Sequence, residues 1–166
     1  LLFWGWLLAV FGGGVLATGR RRDPDLTAYA MSVIMITDAF FLLLNLASAN
    51  PFAMFPDGAT PVDGHGMNPL LQDPWMAIHP PIFFVGYAAT VFPFALVVSG
   101  LIRRRYDQWL VNGFKWVLFA TLSLGAGIII GGFWAYEVLG WGGYWGWDPV
   151  ENSSLVPWFV LIALIH

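Results

Sequence analysis

Four long stretches almost without charged residues constrain this chain more than any other feature. They cover residues 1–19, 26–55, 74–102 and 116–136, and Asp38 is the one charge inside them. Crossing the hydrocarbon core of a bilayer takes about 20 apolar residues, so each stretch predicts a transmembrane helix. A fifth stretch, residues 155–166, is shorter, and we expect it to continue in a longer protein. The composition also indicates a membrane protein, because only 10% of the 166 residues are charged, whereas about a quarter of the residues of a soluble domain are charged.

The predicted fold class is therefore all-α, a polytopic membrane helix bundle with about five transmembrane segments. The connections after the second and the fourth segment are rich in proline, glycine and tryptophan. We expect this order along the chain: transmembrane helices one and two in residues 1–49, an external loop in 50–79, helices three and four in 80–136, an external Trp-rich loop in 137–154, and the start of a fifth helix in 148–166.

The basic residues predict which ends of the helices face the cytoplasm. All seven fall into two clusters between predicted helices, one at residues 20–22 and one at residues 103–115. By the positive-inside rule both clusters are cytoplasmic, so the loops at 50–79 and 137–154 face outward. Arginines beside a membrane helix are typical of contacts with anionic lipid. The clusters therefore indicate the lipid bilayer as a partner and argue against nucleic acid.

A short motif in the second external loop, "WGGYWGW", places three tryptophans beside three glycines. Tryptophan is common wherever a membrane protein meets water, which explains the rings but not the glycines. Glycine lets a flat object approach the backbone closely, and tryptophan supplies stacking faces. The motif favours a platform for a large planar ligand, and its candidate residues are Trp141, Gly142, Gly143, Trp145 and Trp147.

The same motif ends in a signal for the start of a helix. Asp148 stands directly before Pro149, and Glu151 follows three residues after the aspartate. This spacing predicts a capping box, in which Asp148 caps a helix and Glu151 reaches back to the cap. The cap is enough to explain Asp148, and the alternative role for its carboxylate is to orient the charge of a bound ligand.

His79 is a candidate metal ligand at the end of the first external loop. It precedes Pro80 and Pro81, and pre-proline geometry predicts that it lies extended just outside a helix beginning at Pro80. We expect a short amphipathic helix before it, within residues 68–79. An interfacial histidine is usually just a polar group in a polar zone. Beside a planar-ligand platform, however, its imidazole becomes a candidate axial ligand for haem iron.

His166 is a second candidate, in a different setting. It lies 18 residues beyond Asp148, which is about 27 Å along a helix. That depth is inside the bilayer, where an ionisable residue indicates a functional site. The imidazole is either a metal ligand or hydrogen-bonded between helices. Asp38 also lies in a membrane segment, without an evident partner, and His65 is predicted to be a solvated loop residue.

The motifs resemble those of a known family. Residues 141–158, "WGGYWGWDPVENSSLVPW", resemble the tryptophan-rich WWD domain of the haem-handling proteins of cytochrome c biogenesis. The first external loop carries "NPF", "PVDG", "NPLLQDP" and "IHPPIFFVGY", and resembles that of the cytochrome c maturation protein F family and its paralogue in nitrite-reductase maturation. The motifs are collinear from about residue 50 to residue 166, whereas residues 1–49 match in character only.

The resemblance implies a haem lyase, or holocytochrome c synthetase, in the bacterial cytoplasmic membrane with its active site facing the periplasm. Such a protein receives haem from a membrane-anchored chaperone, cytochrome c maturation protein E. It attaches that haem to Cys-x-x-Cys-His motifs of apocytochrome c, which the thiol-handling proteins H and I prepare. No side chain here has the setting of a general base or nucleophile, so the residues are expected to position haem.

The resemblance also implies roles for particular residues. It makes His79 an axial ligand of the delivered haem iron. It also makes the external Trp-rich loop at 137–154, called the WWD loop below, the surface that holds this haem, and this surface includes Asp148. It makes His166 an axial ligand of a resident haem b within the bilayer, with quinol as the expected source of electrons.

Two other classes of protein remain open. A haem-binding quinol electron-transfer subunit or a haem-export subunit also has histidines in the membrane, but typically pairs them within helices and needs no external platform. A structural membrane subunit explains the topology and the interfacial tryptophans, but not His79 and His166 together. The number of haem sites in the purified protein distinguishes the three classes.

Overall fold

The computed structural model describes residues 1–48, 50–54, 62–64 and 66–166, and this part of the chain is all-helical, as predicted. Four helices are long and apolar enough to cross a membrane, and a fifth apolar helix has 17 residues. The described helices are α1 (Leu2–Arg22), α2 (Pro24–Ser48), α3 (Pro74–Arg103), α4 (Gln108–Val138) and α5 (Pro149–Ile165). The predicted polytopic helix bundle is confirmed.

Helix α3 occupies the centre of the bundle. Phe92 and Ala88 are fully buried in α3 and pack with Leu8 of α1 and Ile34 of α2. On its other side, the neighbouring Ala89 packs against α4 and α5. Because α3 lies between the other helices, its residues have fixed neighbours on several sides, and a functional side chain on it is held by packing rather than by a loop.

The third helix begins earlier than the sequence analysis predicts. Its first residue is Pro74, and the carboxylate of Asp73 accepts hydrogen bonds from two backbone N–H groups of the first turn, at 2.8 and 3.4 Å. The predicted start at Pro80 is therefore wrong, and so is the predicted extended conformation of His79. Pro80 and Pro81 remove two backbone donors from the second turn, but packing against α4 keeps the helix continuous.

The chain before α3 also differs from the expected amphipathic helix. A short 3-10 helix, Pro69–Leu71, is followed directly by Asp73 and the first turn of α3. The indole N–H of Trp134 in α4 donates to the carbonyl of Leu70 at 3.1 Å. This bond fixes the end of the first long loop to the side of α4.

Both basic clusters lie at one end of the bundle, which we call the basic end. There Arg103 contacts Asp25 at 2.7 Å, and Arg105 contacts Asp23 at 2.5 Å. The opposite end carries the loop between α4 and α5 and is called the tryptophan end. This arrangement confirms that the chain alternates direction from helix to helix, as the charge pattern predicts.

Reporter fusions test which end faces the cytoplasm. By the positive-inside rule, fusions after Arg22 and Arg105 are expected to behave as cytoplasmic. Fusions near Gly64 and Gly142 are expected to behave as external. The measurement is the ratio of alkaline phosphatase to green fluorescent protein signal at each position. An external signal at the basic end would overturn the orientation and any function that depends on it.

Candidate functional site

The imidazole of His79 is held in one orientation by the neighbouring helix. Its Nδ1 lies 2.7 Å from the backbone carbonyl oxygen of Gly127 in α4. Since a carbonyl only accepts, Nδ1 donates and carries the proton. The other nitrogen, Nε2, has no hydrogen-bond partner among the described residues and is left with its lone pair. Histidines that ligate metals commonly show this arrangement, with the second ring nitrogen donating to a backbone carbonyl.

Gly131 makes room for this imidazole. A Cβ atom at position 131 would lie 2.6 Å from Cε1 and 2.7 Å from Nδ1 of His79. Real Cβ atoms do not approach other atoms so closely, so the ring rests directly on the bare backbone of α4. Gly127 and Gly131 are four residues apart and thus on the same face of the helix. A Cβ at Gly127 would lie 2.8 Å from the Cα atom of Phe83, so both glycines allow α3 and α4 to approach closely.

His79 opens onto a cavity that also contains part of the WWD loop. The cavity has a volume of about 160 Å³ and is lined by residues of α3, α4, α5 and the loop between α4 and α5, among them His79, Trp145 and Asp148. The predicted proximity of His79 to the tryptophan-rich loop is thus seen in the structure, although His79 lies within α3. The cavity is at the tryptophan end of the bundle.

Trp145 lines this cavity and has an indole N–H that is unpartnered among the described residues. Its indole Nε1 is buried and has no hydrogen-bond partner in the described part of the chain. A buried donor without a partner costs about 1–3 kcal/mol, and an acceptor beside it would remove this cost. The ring is held edge-to-face against Trp147, with centroids 6.1 Å apart.

The loop that carries Trp145 is docked on α4. Gly132 lies under it, because a Cβ there would be 2.9 Å from the carbonyl oxygen of Tyr144. The ring of Tyr144 stacks on Tyr136 of α4, with centroids 4.4 Å apart and planes inclined by 7°. The loop therefore has a defined position above the cavity.

The glycines of the motif serve the loop's own packing more than the sequence analysis predicts. A Cβ at Gly143 would lie 2.9 Å from the indole of Trp141, and one at Gly146 would lie 3.2 Å from the same ring. Trp141 thus covers the glycine backbone itself. Gly142 has a φ of 74°, which a β-branched side chain would strain. Replacing Gly142 or Gly143 by valine would therefore disturb the loop and would not isolate the approach of a ligand.

The predicted platform residues are divided between two environments. Trp145 and Asp148 line the cavity, whereas Trp147 is 71% exposed and Trp141 is 45% exposed at the surface of the loop. Trp147 also has a φ of 57°, which is uncommon for a residue other than glycine. The exposed indoles are free to contact a molecule that extends beyond the cavity.

The predicted capping box at the start of α5 is confirmed. The carboxylate of Asp148 accepts from the backbone N–H of Glu151 at 2.7 Å, and the carboxylate of Glu151 accepts from the N–H of Asp148 at 3.3 Å. Glu151 also accepts from the N–H of Gly146 at 2.7 Å. These bonds tie the start of α5 to the WWD loop and fix one wall of the cavity.

His166 lies far from this cavity. It is exposed and ends α5, whose 17 residues extend from the tryptophan end over about 25 Å.

His65 lies outside the described residues. Within the described part, no three metal-ligating side chains come together.

Asp38 remains without an assigned role. Its Oδ1 is buried and has no hydrogen-bond partner among the described residues. It lies against α1, since a Cβ at Gly5 would be 2.9 Å from this oxygen.

The residues around the cavity fit the edge of a haem. They provide a ring nitrogen with a free lone pair and aromatic faces on the loop above. The volume of about 160 Å³ is below the 300–1,000 Å³ of sites that enclose a small ligand. A haem placed here would therefore enter the cavity only in part.

Sequence reasoning missed Gly127, Gly131 and Trp134. The first two position His79, and Trp134 lines the cavity while anchoring Leu70. A signal for the glycines was present, because a Gly-x-x-x-Gly spacing in an apolar helix is typical of close helix packing in membranes. Nothing in the sequence marks Trp134 apart from the other tryptophans.

Fold and site together define a multi-pass membrane protein with a histidine-bearing cavity under a tryptophan-rich loop. A family model described as cytochrome C assembly protein matches residues 1–166. The chain belongs to this family.

Curated proteins of similar sequence are also cytochrome c biogenesis proteins. Over its whole length the chain is 41% identical to the cytochrome c-type biogenesis protein CcmF of Haemophilus influenzae, of which it covers 26%. It is 38% identical to CcmF of Escherichia coli and 38% identical to the cytochrome c-type biogenesis protein NrfE of Haemophilus influenzae, again covering 26% of each. The predicted similarity to cytochrome c maturation protein F and its paralogue is confirmed. The chain spans about a quarter of the length of these relatives, and no solved structure matches it.

Proposed function

We propose that this chain is the part of a haem lyase that receives haem from a chaperone and holds it for attachment to apocytochrome c. The observation that carries the proposal is the hydrogen bond from Nδ1 of His79 to the Gly127 carbonyl, which leaves Nε2 without a partner beside the cavity. Family membership makes haem the planar ligand to consider first.

In this proposal the residues of the cavity position haem. His79 binds the iron of the delivered haem through Nε2, and Gly127 fixes the ring so that the direction of that bond is set before haem arrives. Trp145 donates its unpartnered N–H to an oxygen of a haem propionate. Haem, as the substrate, supplies the vinyl groups to which the cysteine thiols of a Cys-x-x-Cys-His motif add. Holding one edge of the ring in a fixed orientation determines which vinyl group meets which thiol.

Delivery of haem and its attachment to apocytochrome c each require a partner protein. Haem arrives from cytochrome c maturation protein E at the tryptophan end. Apocytochrome c, delivered by the thiol-handling proteins H and I, meets it there.

We also propose that His166 ligates a resident haem b in the bilayer, which passes electrons from quinol toward the cavity. The length of α5 separates the two histidines, so the two haems occupy distinct sites.

Reconstitution tests the proposed function. The full-length protein is combined with haem-loaded chaperone and reduced apocytochrome c, and thioether formation is followed by the shift of the haem spectrum and by mass spectrometry. The proposal expects covalent cytochrome c only when the full-length protein is present. A protein that binds haem but forms no thioether under reducing conditions would instead favour an electron-transfer or haem-export subunit.

Gly131→Ala tests whether the orientation of His79 matters. The added Cβ would lie 2.6 Å from the imidazole, so the ring must move away from the Gly127 carbonyl. We expect cytochrome c maturation to fall about 10- to 100-fold, the usual effect of disturbing a partner of a metal ligand. Haem-stained cytochromes c in cells provide the measurement.

Gly13→Ala is the matched control, because a Cβ at Gly13 of α1 meets nothing within 4 Å. It is expected to leave maturation unchanged. If Gly131→Ala matures cytochromes as well as this control does, the contact between Gly131 and His79 has no role in the reaction.

A further inference from the structure

A cleft between α1 and α4 at the basic end is separate from the haem site. It encloses about 330 Å³ and continues into an adjoining cavity of about 370 Å³ at the end of the helices. Its walls come from α1 and α4, and residues of α2 and α3 form its floor. Nothing in the proposed haem chemistry uses this cleft, which lies at the other end of the bundle from His79.

Two cationic side chains line this cleft from different helices. Arg22 belongs to the last turn of α1 and Lys115 to the second turn of α4, and both line the cleft. Neither forms an ion pair with a residue in the described part of the chain. The polar side chains of Thr18 and Asn112 line the same region. The cleft therefore presents positive charge together with hydrogen-bonding groups.

The acidic residue inside the cleft does not cancel this charge. The carboxylate of Asp23 accepts from the Leu26 N–H at 3.0 Å and from Arg105 at 2.5 Å. These two contacts hold the pKa of Asp23 below its usual value, so it is ionised and already paired. Asp107 lines the adjoining cavity together with Arg22, but it does not line the cleft itself. Among the residues of the cleft, Arg22 and Lys115 outnumber the single carboxylate of Asp23.

The cleft also has apolar walls. Val15 of α1, Leu96 of α3 and Trp116 of α4 line it. Val15 is seven residues before Arg22, which places it about 10 Å deeper along α1. Cationic and hydrogen-bonding groups combined with apolar walls that extend deeper along α1 match the chemistry of a phospholipid, which has an anionic phosphate at the interface and acyl chains below it.

We propose that this cleft is a binding site for one anionic phospholipid. Its phosphate lies between Arg22 and Lys115, and one acyl chain runs along Val15 and Trp116. Basic pockets between transmembrane helices on the cytoplasmic side are known to bind the head groups of anionic lipids. Here the two cations belong to different helices, so the lipid also bridges α1 and α4 at the basic end.

Lipid retention by the full-length protein tests this site. The protein is reconstituted in nanodiscs of phosphatidylcholine with or without phosphatidylglycerol, re-purified in mild detergent, and examined by native mass spectrometry for bound lipid. One phosphatidylglycerol per protein is expected to remain bound. Arg22→Gln combined with Lys115→Gln is expected to weaken its retention roughly thirtyfold, since each cation near an anionic head group contributes about fivefold.

The matched control removes the same charge outside the cleft. Arg20→Gln combined with Arg21→Gln takes two cations from the same end of α1, and neither residue lines the cleft. This control is expected to retain the lipid. Equal losses in the two double variants would overturn the proposal, because the effect would then be general surface charge. If the first double variant does not fold, each single variant is expected to show about a fivefold loss.

A second experiment distinguishes a site for a lipid from a site for a free phosphate ion. Val15→Phe fills the apolar part of the cleft and leaves Arg22 and Lys115 in place. It is expected to reduce retention of phosphatidylglycerol, and inorganic phosphate in excess is expected not to displace the lipid. Full displacement by inorganic phosphate, with no effect of Val15→Phe, would show a small-anion site and overturn the lipid assignment.

Discussion

His79→Ala is expected to abolish cytochrome c maturation while the spectrum of the proposed resident haem in the purified protein remains. The change removes the Nε2 atom proposed to bind delivered iron and leaves the Gly127 carbonyl without its 2.7 Å partner. Loss of an axial ligand affects only the haem that this ligand holds. Maturation is measured by haem staining of cytochromes c in cells, and the resident haem by visible absorbance of the full-length protein.

His65→Ala is the control for this variant, since it removes a histidine of the first external loop for which no role is proposed. Added imidazole gives a sharper test, because a free imidazole can occupy the space left by the side chain and restore an axial ligand. Recovery of the spectrum of trapped, chaperone-delivered haem is expected. If His79→Ala holds that haem with unchanged axial ligation before imidazole is added, His79 is not a ligand.

The membrane helices were predictable from the sequence because the bilayer dictates them. A stretch without charge that is long enough to cross the hydrocarbon core has few alternatives, and all four such stretches are helices in the structure. The basic clusters likewise predicted which helix ends lie together, since ion pairs such as Arg105–Asp23 form at one end of the bundle. In these respects a local property of the chain determines the fold.

The start of α3 was predicted wrongly because two helix-start signals compete there. Asp73-Pro74 has the same pattern as Asp148-Pro149, and both aspartates cap helices in the structure. The pair Pro80-Pro81 is a second signal, but it lies six residues later, where packing against α4 maintains the helix. The choice between the two depends on tertiary contacts, which the local sequence does not contain.

The candidate site was only partly predictable, for a similar reason. The resemblance and the motif indicated Trp145, Asp148 and His79, and all three line one cavity. The contact that orients His79 joins residues 48 positions apart in the sequence. The contact of Trp141 with Gly143 could not be predicted either. The spacing of tryptophans and glycines in the motif is compatible with an external planar ligand and equally with packing of the loop's own indole.

His166→Ala is expected to remove most of the b-type absorbance of the full-length protein, purified without any haem chaperone. Helix α5 carries His166 about 25 Å from its start at the tryptophan end, with its apolar residues packed on α3 and α4 through Leu161. At that depth a neutral imidazole that binds iron has its lone pair satisfied, whereas an unused one would be an isolated polar group in hydrocarbon. The measurement is the reduced-minus-oxidised spectrum with haem quantified per protein.

The two histidine variants together separate the two sites. Because α5 separates His166 from His79, the loss of one ligand is expected to leave the other haem in place. His166→Ala should still trap chaperone-delivered haem through His79, although maturation falls because that haem is no longer kept reduced. A chemical reductant is expected to restore maturation in His166→Ala but not in His79→Ala. An intact b-type spectrum in His166→Ala would instead assign this histidine to hydrogen bonding between helices and require the resident haem to be ligated elsewhere.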